Sequence, residues 1–191
     1  MKSDAVKRNR DWVVMTLLIS SLSMIFVGSS LAFIYLKYQN QTKLPTLPVL
    51  FYINTLVILL TSWIFIRAKG STVPLNYNQY SQRLQIILGF SVVFLILQVI
   101  AWYFLLQKNI DPGDGSSTGF LYLFSFLHLL HVIGGLPFLL FVLRKLLKQS
   151  NSHQLITQYD HHYINLLAVY WHFLDILWIY IMLFMLVNSL W

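Results

Sequence analysis

The chain has 191 residues, of which 58% are hydrophobic and only 10% charged, where soluble domains carry roughly 25% charged residues. So few charges cannot cover so much apolar surface in water, which excludes a soluble globule and makes a bilayer the natural solvent. The formal charge of +7 is not a nucleic-acid footprint, because the 13 Lys and Arg fall almost entirely in polar breaks between apolar runs.

There is no Cys, which excludes disulfides, thiolate metal sites and thioether-linked haem; all six acids are Asp. Residues 1–11 read as a polar, basic N-terminal tail. The apolar run that follows is too long for a signal-peptide core and lacks a small-residue cleavage site, so it is expected to remain as the first span. The tail is also unlike an Arg- and Ser-rich transit peptide. That favours a bacterial plasma membrane over a mitochondrial inner membrane.

Five apolar runs follow in chain order, near Trp12–Leu36, Val49–Ile66, Leu84–Leu106, Gly119–Leu143 and Ile164–Asn188. Each approaches the roughly 20 residues that a helix needs to cross about 30 Å of hydrocarbon. Only helices or closed barrels satisfy their backbone in lipid, and barrel strands would be half this length with alternating polarity. The expected fold is an all-α membrane bundle, one domain over residues 12–191. The breaks carry turn chemistry, with two prolines in KYQNQTKLPTLP and the run DPGDGSSTG before the fourth span. No internal repeat is evident, and five spans do not divide into the related halves of many transporters.

Basic residues are distributed unevenly between the two sides. Lys2, Lys7, Arg8, Arg10, Arg67, Lys69, Arg83, Arg144, Lys145 and Lys148 share one side, and Lys37, Lys43 and Lys108 the other. Ten against three is a positive-inside bias that predicts a cytoplasmic N-terminus and an outer C-terminus. Arg67, Arg83, Arg144 and Lys145 are candidates for contact with anionic lipid headgroups.

Polar residues are scarce in the first three spans, where Gln98 is expected to make an interhelical hydrogen bond. The last two spans carry Ser125, His128, His131, His172 and Asp175. Intramembrane ionisable groups are costly and normally pair with one another. His128 and His131 lie three apart, as do His172 and Asp175, so each pair shares a helix face. With both near mid-span, a His131–Asp175 hydrogen bond is expected, with His128 and His172 offset to opposite sides. Three roles suit such a cluster: a metal or haem site, a proton relay, or pairing that fixes helix rotation. A bis-His haem needs ligands facing each other across a macrocycle, and a di-metal carboxylate site needs several Glu. Pairing leaves each group with a named partner and is the reading taken, so no metal, haem or catalytic residue is assigned to this chain. Trp12, Tyr35, Tyr38, Tyr103, Tyr163 and Trp191 fall near span ends as an interfacial belt. Tyr170, Trp171 and Trp178 lie deeper and read as packing residues, and Gly134-Gly135 before Pro137 permits close helix approach.

YWHFLDILWIY in the last span resembles the closing segment of cytochrome c oxidase subunit III, through Tyr170, Trp171, His172, Phe173, Asp175 and Trp178. HLLHVIGG resembles the family's preceding signature through His128, His131, Val132 and Gly134 or Gly135, with Ser125 where the family usually has Thr. Asn54-Thr55 and the pair Gln98 and Trp102 echo earlier family segments. The family's intramembrane Glu positions read differently here: Ser20-Ser21, Ala101 and Asn165 stand in those stretches. The resemblance implies a five-span subunit III that binds no haem or copper itself. Such a subunit packs on oxidase subunit I, which with the other subunits holds the haem and copper. It also retains structural phospholipids and supports proton uptake and stability; further oxidase or supercomplex subunits are possible neighbours. Subunit III of a quinol oxidase and the accessory protein of nitric-oxide reduction belong to the same superfamily. A membrane b-type cytochrome or a small proton-coupled transporter are the alternatives of another class.

Overall fold

A computed structural model describes residues 2–40, 44–69, 76–149 and 156–190. Those residues form five helices: α1 (Lys2–Asn40), α2 (Val49–Lys69), α3 (Tyr77–Gln107), α4 (Ser116–Gln149) and α5 (Gln158–Leu190). All five are long and apolar enough to cross a membrane, and the described residues contain no strand. The helices outrun the expected spans. Residues 2–11, expected as a tail, continue α1, because Ala, Lys and Arg favour helix and no Gly or Pro interrupts them. Likewise α3 begins at Tyr77, and its first turns bury Tyr77 and Tyr80 against the bundle.

Helix α2 packs on α3, α3 on α4, α4 on α5, and α5 returns to α2, so these four close a ring. Helix α1 lies outside it against α4 and α5. The periodicity of α4 shows how the ring is filled. Leu121, Phe124, Ser125, His128, Val132, Gly135, Leu139, Val142 and Leu146 are buried, in steps of three and four along one stripe. Phe26 and Phe33 of α1 pack on α4 from outside the ring, with Phe26 stacked on Phe124, at the edge of that stripe, at 6.1 Å and Phe33 edge-on to Phe120 at 5.6 Å.

The α3–α4 connection stops α3 with a Schellman turn. Asn109 takes φ 53°, Ile110 N–H donates to the Leu105 carbonyl and Asn109 N–H to that of Leu106. Tyr122 of α4 then donates its hydroxyl to the Ile110 carbonyl at 2.9 Å, fastening the turn to the next helix.

Gly135 sets the closeness of α4 and α5. A Cβ there would lie 2.6 Å from Cε1 of Tyr170 and 3.2 Å from Cζ3 of Trp171. Of the pair expected to permit close approach, Gly134 is exposed with open space where its Cβ would lie. One residue turns a helix by about 100°, which carries Gly134 off the interface that Gly135 occupies. Gly135→Val should therefore force α4 and α5 apart and cost about 1–3 kcal/mol, as overpacking of a tight core does. Gly134→Ala should not lower the thermal midpoint of the purified protein in the same melt, because its Cβ meets open space and Ala is the better helix former.

Candidate functional site: the polar fasteners of the bundle

Hydrogen bonds join neighbouring helices almost all the way round. Asn54 Nδ2 of α2 donates to Gln98 Oε1 of α3 at 2.9 Å, with both residues fully buried. Trp102 Nε1 of α3 donates to Ser125 Oγ of α4 at 3.0 Å. Tyr170 of α5 donates its hydroxyl to the His131 carbonyl of α4 at 2.9 Å. Trp178 Nε1 of α5 donates to Thr55 Oγ1 of α2 at 3.1 Å, and closes the ring. Tyr180 of α5 donates to Ser30 Oγ of α1 at 2.8 Å.

A shared local device makes three of these bonds possible. Ser30, Thr55 and Ser125 each give their own hydroxyl hydrogen to the carbonyl four residues earlier in the same helix. Their oxygens are then free to accept from an indole or phenol on the next helix. Trp178 is the hub. Its fully buried ring stands 5.1 Å from Phe94 of α3, 5.0 Å from His128 of α4 and 6.0 Å from Phe51 of α2.

The histidines and Asp175 do not gather into the expected cluster. His131 uses its Nδ1–H on the Leu127 carbonyl of its own helix, and its ring lies 5.9 Å from Phe26 of α1. The expected His131–Asp175 hydrogen bond is therefore not formed. The reason is register. Tyr170 and Trp171 meet α4 between His131 and Gly135, and Asp175 lies four or five residues further on, or about 6–7.5 Å at 1.5 Å per residue. In an antiparallel pair that step brings Asp175 level with His128, one turn away from His131. His172 faces α2, with Ser62 Oγ 2.9 Å from its Nδ1 and Phe65 edge-on at 5.7 Å. Asp175 Oδ2 is 4.0 Å from that same Nδ1. Ser62, His172 and Asp175 are the residue types of a nucleophilic triad, but serine and carboxylate compete for one ring nitrogen instead of flanking the imidazole.

A second polar centre lies at the end of the bundle where α4 finishes and α5 begins. Asp160 is buried, forms an ion pair with Lys145 Nζ at 2.6 Å, and accepts from the Tyr77 hydroxyl at 2.9 Å and from Thr157 Oγ1 at 2.8 Å. Thr157 also accepts the Asp160 backbone N–H at 3.3 Å, as an N-cap residue does. This centre ties the starts of α3 and α5 to the end of α4. Nearby, His162 Nε2 and Asp11 Oδ2 lie 3.3 Å apart and join α5 to α1. Sequence reasoning missed the Asp160 centre, although Thr-x-x-Asp ahead of an apolar run is a capping signature.

Of the basic residues singled out for lipid, Lys145 turns inward to Asp160 and lies 5.0 Å over the Tyr163 ring. Arg144, Lys145 and Lys148 nevertheless border one surface cleft of about 500 Å³, which Pro137, Leu140 and Phe141 also line. These six residues follow one face of α4, apolar toward the middle of the helix and basic toward its end. Arg83 is half-buried with an enclosed Nη1, and the Arg67 side chain lies outside the described residues.

The Asn54–Gln98 bond is suited to a double-mutant cycle. Asn54→Ala and Gln98→Ala should each lower stability in a detergent unfolding assay. The double variant should lose less than the sum, by a coupling of about 0.6 kcal/mol, the average for hydrogen bonds between membrane helices.

A search of curated proteins finds no match to this chain. A family model described as cytochrome c oxidase subunit III matches residues 5–190, nearly the full length and all five helices. The chain therefore belongs to the cytochrome c oxidase subunit III family.

Proposed function

We propose that this chain is the non-catalytic subunit III of a haem-copper terminal oxidase in a bacterial plasma membrane, with its N-terminus in the cytoplasm. It packs on subunit I, retains phospholipid at its surface and supports the proton uptake and durability of the enzyme. Haem and copper belong to the partner subunits. The observation that carries the reading is family membership over residues 5–190. The use of the buried polar groups supports it. Gln98, Asn54, Trp102, Ser125, Tyr170 and Trp178 are engaged in holding helix to helix. The surroundings of His128 also speak against a haem ligand. Its ring is enclosed by Phe94 and Trp178, beside a cavity of only about 20 Å³.

The cleft on α4 supports the lipid part of the proposal. An anionic headgroup suits Arg144 and Lys148, and an acyl chain suits Pro137, Leu140 and Phe141. The positive-inside bias favours the cytoplasmic leaflet for this end.

Extraction of the tagged chain in mild detergent is expected to bring a larger haem-bearing membrane subunit with it. The separated chain should have no Soret band, and a band belonging to this polypeptide would overturn the assignment. For the lipid, Arg144→Gln with Lys148→Gln is expected to release anionic phospholipid in native mass spectrometry while the helical circular dichroism is kept. Lys145 is left intact in that variant because it holds Asp160.

A further inference from the structure

The four ring helices leave a small space at their centre. A cavity of about 20 Å³ lies among all four, bordered by Thr61 of α2, Ser91 and Phe94 of α3, His128 of α4 and Asp175 of α5. His128 is fully buried and Asp175 is 4% exposed. Among the described residues, Asp175 Oδ2 and both ring nitrogens of His128 have no hydrogen-bond partner. Buried polar atoms are rarely left in that condition, because each loses its hydration with nothing in return. Ser91 gives its hydroxyl hydrogen to the carbonyl of Ile87, so its oxygen can accept, while the Thr61 and Ser62 hydroxyls approach the Asp175 carboxyl from α2. The register of α4 and α5 puts Asp175 and His128 at one depth, on two sides of this space.

A cavity of about 10–15 Å³ suffices for one water, provided that two to four polar groups face it. Both conditions are met here, while the space is too small for an organic ligand. We propose that the cavity is a binding site for one ordered water molecule that bridges Asp175 Oδ2 and a ring nitrogen of His128. The water donates one hydrogen to the carboxyl oxygen, accepts from the imidazole N–H, and directs its second hydrogen to the Ser91 oxygen. It joins α4 and α5 at the level of His128 and Asp175, where among the described residues neither His128 ring nitrogen has a direct partner. Phe94, in ring contact with His128, and Trp171 are among the apolar residues that wall the space.

The test uses the intact complex that contains this chain. A density map that resolves ordered water is expected to show a peak about 3 Å from both Asp175 Oδ2 and a His128 ring nitrogen. No peak, or a direct contact between the two side chains, would overturn the proposal. A second measurement turns on the sign of a cavity-filling change. Val132 also borders the space, and Val132→Ile adds one carbon to its lining. Expelling a bridging water should lower the thermal midpoint of the complex, whereas filling a dry void should raise it. A raised or unchanged midpoint would therefore count against the water.

Discussion

Inside hydrocarbon a polar side chain has no bulk water to turn to, so it is satisfied by its own helix, by the next one, or by a water held between helices. That constraint organises this protein. Apolar packing alone gives little preference for one helix arrangement over another, because lipid tails are as apolar as leucine. The few hydroxyls, amides, indoles and phenols therefore specify which helices are neighbours. Ser30, Thr55 and Ser125 satisfy themselves on their own backbone and offer an oxygen outward, and Tyr180, Trp178 and Trp102 each reach across to one. Asn54 and Gln98 pair directly. The result is a ring of four helices with the fifth attached to one side.

Small residues and large rings complete the arrangement. Gly135 admits the Tyr170 ring, and that close approach puts the Tyr170 hydroxyl on the His131 carbonyl. The same contact fixes the vertical register of α4 against α5. Everything further along α5 inherits that register, including the level of Asp175 and the seat of Trp178 among Phe51, Phe94 and His128. Where α4 ends and α5 begins, Asp160 anchors Lys145, Tyr77 and Thr157, so the α4–α5 pair is fastened both at mid-helix and at that end.

The existence of five spanning helices was legible from run length and composition, because those properties are local. So was the engagement of Gln98, since an amide at mid-span has few options besides another helix. The cluster geometry was not legible. Assigning His131 and Asp175 to one depth required the α4–α5 register, and span boundaries good to a few residues leave that undetermined by a full turn. Which of Gly134 and Gly135 makes the close approach was not legible either, because helix rotation is set by tertiary packing. Asp160 was overlooked because it sits just outside the apolar run, although its Thr-x-x-Asp spacing carried the information. The family resemblance rested on motifs in α4 and α5, and the family match extends it to residues 5–190.

The closing of the ring by α5 on α2 is the most demanding contact, since it joins helices far apart in sequence. The chain contains no cysteine, so pairs of Cys can be introduced without background. One placed in α2 at the level of Thr55 and one in α5 at the level of Trp178 should form a disulfide readily in native membranes, while pairs between α1 and α2 should stay reduced. Efficient cross-linking of α1 to α2, with none between α2 and α5, would contradict the ring.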